Sequence, residues 1–125
     1  MQFVKLLSVL MVINSVSFSQ TCERIKDVAC GEYHTLAWTE DGSLWACGSN
    51  SAGQSAINAT GTLQLQRVVG EYGIGYLANV VTFDAGWVHS LAAEPDGLLW
   101  AWGNDQYGQL GNGTTTNTLL PGKVK

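Results

Sequence analysis

Charge is scarce in this sequence: only 13% of its 125 residues are Asp, Glu, Lys or Arg. So little charged surface disfavours long solvated helices, and 46% hydrophobic residues make the composition globular, which excludes disorder as the default state. Cations are the scarcer sign, with six Lys and Arg against ten Asp and Glu, and they form no cluster. A densely negative partner such as duplex DNA or an anionic lipid surface would be repelled at long range, so nucleic-acid binding is disfavoured. No apolar run reaches the ~20 residues needed to cross a bilayer. Proline occurs twice and no C-x-x-C pair is present. Abundant instead are glycine, with 15 residues, and tryptophan, with five, a mixture of tight turns and large apolar side chains that leans towards short strands.

The most compact apolar segment lies at the N-terminus. Lys5 precedes residues 6–13, apolar except for Ser8, and residues 15–20 turn small and polar. A positive start, a core roughly half a bilayer span long, and Ser17 and Ser19 at alternate positions read as a signal peptide, residues 1–19, cleaved after Ser19 or Gln20. The chain is therefore expected to be secreted or displayed at the cell surface, periplasmic or extracellular if bacterial, with no membrane span after cleavage. Removing 19 residues leaves five cations against ten carboxylates, a net charge of −5. Cys22, Cys30 and Cys47 are an odd number for an oxidising compartment. Cys30 and Cys47 can form a disulfide if their strands are neighbours, or pack as two small apolar thiols, and both readings stay open.

A shift of 55 residues lays residues 31–54 on 86–109 without a gap, and 12 of the 24 positions are identical. The identities include Gly31 with Gly86, His34 with His89, Gly42 with Gly97, Trp45 with Trp100, Gly48 with Gly103 and Gln54 with Gln109. Each copy parses into β-favouring runs: residues 25–29 and 80–85, then 34–39 and 89–93, then 44–47 and 98–102. The turn dipeptides Asp41-Gly42 and Asp96-Gly97 separate the second run from the third. Polar loops 49–54 and 104–109 follow, and a fourth strand is expected over 63–69 and 118–124. No stretch sustains a 3.6-residue period with caps, so no helix is expected. The fold class is all-β: two propeller-type blades of antiparallel strands, a partial β-propeller, with blade 1 over 25–70, a connecting loop 71–79 and blade 2 over 80–125.

The strings Cys30-Gly-Glu-Tyr-His-Thr-Leu-Ala, Asp41-Gly-Ser-Leu-Trp-Ala-Cys-Gly-Ser-Asn, Gly86-Trp-Val-His-Ser-Leu-Ala and Trp102-Gly-Asn-Asp-Gln-Tyr-Gly-Gln-Leu-Gly-Asn-Gly resemble the regulator of chromosome condensation repeat. The resemblance implies a seven-bladed β-propeller. Ser55-Ala56 stand where the second copy has Leu110-Gly111, which predicts an altered exit loop in the first copy. Two blades cannot close a ring, since closed propellers use typically 4 to 8. The expectation is an N-terminal piece of a longer protein, or a short chain that completes itself by self-association. Nucleotide-exchange members of the family use the loop before the repeated His, which by resemblance implicates Tyr33, His34, Val88 and His89. Tyr33 and Val88 replace the acidic residue those members carry there, and an exported chain would not meet a cytoplasmic or nuclear GTPase.

His34 and His89 recur at one repeat position, so each is read as doing the same local, structural job: a neutral imidazole bridging backbone groups, with the preceding glycine permitting close approach. Cys22, Cys30, His34 and Cys47 assemble into a Cys3His zinc site only on paper, because Cys30 and Cys47 correspond to Ala85 and Trp102. Asp41 and Asp96 precede glycines and are read as turn residues, not as an acid/base pair. Asn50, Asn104 and Asp105 lack the spaced acidic series of a calcium loop. Gly73-Ile-Gly75 and the glycines from Gly108 to Gly113 are explained as turns, while Asn58-Ala-Thr60 and Asn112-Gly-Thr114 are formal glycosylation sequons. No catalytic residue, metal or cofactor is expected. Trp45 and Trp100 repeat and are assigned to blade packing, whereas Tyr33, Trp38, Trp87, Val88 and Tyr107 do not repeat and are the candidate partner-binding residues. The expected function is a secreted, non-enzymatic module that binds a protein through its variable blade loops. The alternatives are a cell-surface or carbohydrate-binding propeller and, less favoured, a guanine-nucleotide exchange or chromatin-binding protein.

Overall fold

The computed structural model describes residues 24–125, so the expected signal peptide and Cys22 lie outside the described residues. Two four-stranded antiparallel sheets follow one another along the chain, each a simple meander. The first contains β1 (Ile25–Cys30), β2 (His34–Thr39), β3 (Leu44–Ser49) and β4 (Gly61–Arg67). The second contains β5 (Thr82–Ala85), β6 (His89–Ala93), β7 (Leu99–Gly103) and β8 (Thr118–Lys123). Every strand lies where the β-favouring runs placed it, with ends displaced by at most two residues. The one helical feature among the described residues is a single 3-10 turn, Glu71–Gly73, broken by Tyr72 at φ 58°.

The hairpins follow directly from Asp-Gly. In the first sheet the amide of Gly42 donates to the Thr39 carbonyl and the amide of Thr39 to the Ser43 carbonyl, enclosing a three-residue loop. Gly42 at φ 81° and Gly97 at φ 88° occupy the left-handed position that such a loop requires. The carboxylate of Asp41 accepts from the Ser43 amide at 3.0 Å and the Thr39 hydroxyl at 2.6 Å, and that of Asp96 from the Leu98 amide at 3.0 Å. Both carboxylates therefore brace their own turns, the reason aspartate is favoured there.

Alternation then sorts side chains between faces. In the first sheet Leu36, Leu44 and Ala46 turn towards the second sheet, which answers with Ala92, Trp100 and Trp102. β5 lies beside β1 and β2, and the Trp38 and Phe83 rings meet there at 6.1 Å, tilted by 53°. Residues between the sheets also enter the core: Val68, Val69, Leu77 and Val80 are buried, and Leu77 donates its amide back to the Val68 carbonyl at 2.9 Å. Trp102 is the largest fully buried side chain.

Truncation of Trp102 to alanine is expected to cost about 3–5 kcal/mol, a large share of the ~5–15 kcal/mol typical of a domain. Tyr107→Ala, on the surface, is expected to fall within about 0.5 kcal/mol of wild type. Urea midpoints of the two variants measure the difference.

Candidate functional site

The connections β1–β2, β3–β4, β5–β6 and β7–β8 all leave the same end of the paired sheets, and backbone hydrogen bonds stitch them together. The Ser49 amide donates to the Tyr33 carbonyl at 2.7 Å, and at the equivalent place the Asn104 amide donates to the Val88 carbonyl at 2.8 Å. Across the two sheets the Glu32 amide donates to the Trp87 carbonyl at 3.2 Å. This tied loop surface presents Tyr33, Trp87 and Tyr107 at 61%, 77% and 85% exposure, with Val88 partly buried between its neighbours. Glu32 holds the pKa of the Tyr33 hydroxyl above the usual tyrosine value, first by hydrogen bonding and then by its charge.

Beneath the loops lies a buried hydrogen-bonded chain. The Nε2 of His34 lies 2.8 Å from the Ser90 hydroxyl, which donates to the Gln54 carbonyl at 2.8 Å, so the His34 nitrogen is the donor. The Trp102 indole donates to the same carbonyl at 2.9 Å. His34 is 3% exposed, and burial first, then the nearby His89, push its pKa below the usual imidazole value. His34 therefore bridges to a side chain of the neighbouring sheet, where the sequence alone pointed to backbone groups. Gly31 and Gly86 lie directly under the rings of His34 and His89, and a Cβ on either glycine would collide with the imidazole.

The exit loops are internally closed. Gln54 and Gln109 each accept the amide two residues earlier, from Ala52 and Tyr107, at 2.9 Å. Asn50 Oδ1 accepts the Ser55 and Ala56 amides, and Asp105 Oδ1 accepts the Leu110 amide at 2.9 Å. These oxygens organise turns. The altered exit loop expected from Ser55-Ala56 is not found: Ala56 adopts φ 45°, close to the 61° of Gly111, so the first copy keeps the turn in a conformation L-residues rarely adopt.

Two of the residues singled out in the sequence lie elsewhere than expected. Trp38 is not a free surface anchor, because it is half-buried against Phe83 with Lys26 4.5 Å above its ring. Trp45 does not pack between sheets as Trp100 does. It sits half-buried on the outward face of the first sheet, because that sheet has no neighbour on that side among the described residues. Both rings still share a cross-strand cation, Arg67 over Trp45 at 5.8 Å and Lys123 over Trp100 at 5.4 Å. Cys30 and Cys47 oppose Thr35 from either side, so their strands are separated by β2. Two inter-strand steps are about 9–10 Å, too far for a disulfide, and both thiols are free. Sequence reading missed Ser90, whose signal was the hydroxyl shared with Thr35 at one repeat position.

The Regulator of chromosome condensation (RCC1) repeat matches residues 25–54, 80–109 and 96–125. The chain belongs to the RCC1 repeat family. Among RCC1 relatives, the ultraviolet-B receptor UVR8 of Arabidopsis thaliana is 37% identical over 102 residues, covering 81% of this chain and 22% of the receptor. The X-linked retinitis pigmentosa GTPase regulator of Homo sapiens is 32% identical over 102 residues, covering 82% and 10%. Human WBSCR16 superposes with a TM-score of 0.70 at 28% identity, over 82% of this chain and 26% of that one. Yeast RCC1 (Prp20), solved bound to Kap60, does so with a TM-score of 0.69 at 21% identity, over 82% and 25%. The two sheets are thus RCC1 propeller blades, and the chain spans about a quarter or less of these relatives. Among the described residues no helix is long and apolar enough to cross a membrane.

The folded chain holds His34 neutral, so the unfolded chain takes up a proton first as pH falls. The stability this contributes is complete above the ordinary imidazole value of 6.5 and is lost as pH drops from there through the lower folded value. Thermal midpoints between pH 8 and pH 5 are expected to fall below about pH 6.5 in the wild type. His34→Asn is expected to lose about 1–3 kcal/mol at pH 8, by removing the buried donor to the Ser90 hydroxyl, and to show a flatter acid limb.

Proposed function

We propose that this chain is an exported, non-enzymatic RCC1 module that binds another protein through the loop surface carrying Tyr33, Trp87, Val88 and Tyr107. The observation that carries the reading is the exposure of three aromatic side chains on loops bound to one another by backbone hydrogen bonds. Tyr and Trp supply large contact area at little conformational cost and are enriched among the residues that dominate binding energy. Each stands where the other repeat has a different residue, Tyr33 against Val88, Trp87 against Glu32 and Tyr107 against Ala52, so the surface is specified independently of the scaffold. Protein binding also agrees with a relative such as Prp20, described with its binding properties to Gsp1p and histones.

Export rests on the residue 1–19 pattern. His34 serves the joint between blades, and the carboxylates of Asp41 and Asp96 are occupied in their turns, which favours a role without catalysis.

Protein bait and a glycan array, each probed with wild type and with Trp87→Ala, test the reading. A partner protein whose affinity drops at least about tenfold with Trp87→Ala is the expected result. Binding confined to glycans, or accelerated nucleotide release from a small GTPase, would overturn it. N-terminal sequencing of material recovered outside the cytoplasm is expected to begin at Gln20 or Thr21.

A further inference from the structure

Asp or Asn precedes glycine at three places, Asp41-Gly42, Asp96-Gly97 and Asn112-Gly113. Such a pair is chemically vulnerable wherever the glycine amide nitrogen can reach the carbonyl carbon of the preceding side chain, because glycine has no Cβ to obstruct the approach. The fold treats the three pairs differently. The amides of Gly42 and Gly97 are committed to their hairpins, donating to the Thr39 and Glu94 carbonyls at 3.0 Å each, while the two aspartates accept from the Ser43 and Leu98 amides. The Gly113 amide donates no hydrogen bond among the described residues. Gly113 is exposed, and a Cβ placed on it would meet open space.

The exit loop around Gly113 also has fewer ties than its counterpart in the first copy. There Asn50 Nδ2 donates to the Ile57 and Ala59 carbonyls at 3.0 and 2.7 Å. Asp105 stands in the place of Asn50 and has no amide to donate, and among the described residues no donor reaches the carbonyls of Asn112, Gly113 or Thr114. What the loop does hold is the Asn112 carboxamide: its Oδ1 accepts the Thr114 amide at 2.9 Å and the Thr114 hydroxyl at 2.8 Å.

We propose that Asn112-Gly113-Thr114 is a site of spontaneous covalent modification, in which Gly113 attacks Asn112 and Thr114 activates the carbonyl attacked. The Gly113 nitrogen gives its proton to solvent and bonds to Asn112 Cγ. Negative charge gathers on Oδ1, where the Thr114 amide and hydroxyl already donate. The Cγ–Nδ2 bond then breaks and Nδ2 leaves as ammonia, closing a cyclic imide. Water opens the imide at either carbonyl, giving aspartate or isoaspartate at position 112, so the net change is amide plus water to carboxylate plus ammonium, with no oxidant or reductant. Either product adds a negative charge next to Thr114, whose hydroxyl also lies 3.3 Å from the buried Asp105 carboxylate. Two carboxylates then compete for one hydroxyl proton and repel each other, which loosens the exit loop that also carries Tyr107. The chemistry needs no partner, so it stands or falls separately from the loop-surface reading.

Incubation of the purified, folded chain at neutral pH in heavy-oxygen water, followed by peptide mapping, tests the proposal. A free peptide spanning residues 109–117 sets the duration, as the time in which it converts fully. Residue 112 is expected to gain one labelled oxygen in place of its amide nitrogen, to do so ahead of every other asparagine, and to be labelled by an isoaspartyl methyltransferase. Asp41 and Asp96 are expected to stay unmodified. Thr114→Val is expected to slow conversion about fivefold, the rate equivalent of one ordinary hydrogen bond, and Thr114→Ser to restore the wild-type rate. An Asn112 that remains an amide in the folded chain, or another asparagine converting first, overturns the proposal. So does a Thr114→Val chain that converts as fast as wild type. Circular dichroism before and after incubation verifies that the blades stay folded.

Discussion

One buried carbonyl organises the meeting of the two blades. Gln54 ends the exit loop of the first repeat with its backbone oxygen sealed from water, and an unpaired buried carbonyl would cost about 1–3 kcal/mol. It receives two donors from the second repeat, the Ser90 hydroxyl and the Trp102 indole, and His34 completes the chain by donating to Ser90. Apolar packing alone would tolerate sliding of one sheet on the other, since contacts among Leu36, Ala46 and Ala92 are non-directional. Directional bonds in a dry joint admit one register. That register brings the Glu32 amide to the Trp87 carbonyl and so determines which loop aromatics share a surface.

Repetition divides the residues into those the scaffold needs and those it leaves free. Glycines under the two imidazoles, aspartates in the two hairpins and glutamines closing the two exit loops do identical local work in each blade. Where the copies differ inside the scaffold, a compensating contact or a strain is visible. Glu94 accepts the Trp100 indole at 2.7 Å, a partner that the first copy lacks because Thr39 stands in its place, and Ala56 holds a left-handed turn that Gly111 adopts without penalty. Where they differ at loop tips the scaffold is unaffected. Tyr33, Trp87 and Tyr107 are all at such tips, which is why a partner-binding surface can be written there without cost to folding.

Much of this architecture was legible before any coordinates. The 55-residue self-similarity, period-2 runs and Asp-Gly punctuation located all eight strands and both hairpins, because these signals are local and depend on backbone conformation near each residue. The long-range facts were not. Alternation says that Trp45, Ala37 and Val28 share one face of a sheet and that Leu36, Leu44 and Trp38 share the other, but both sets are apolar, so it cannot say which face meets a neighbour. Only the packing of the sheets decided that Trp38 is half-buried beside Phe83 while Trp45 faces outward. In the same way, sequence spacing left Cys30 and Cys47 open to pairing until strand order put β2 between them. Local backbone chemistry is encoded residue by residue, and it determined the repeat, the turns and the strands. Which surfaces are buried depends on groups 36 to 56 residues apart meeting in space, as Gln54, His34, Ser90 and Trp102 do, and that the tertiary structure alone decided.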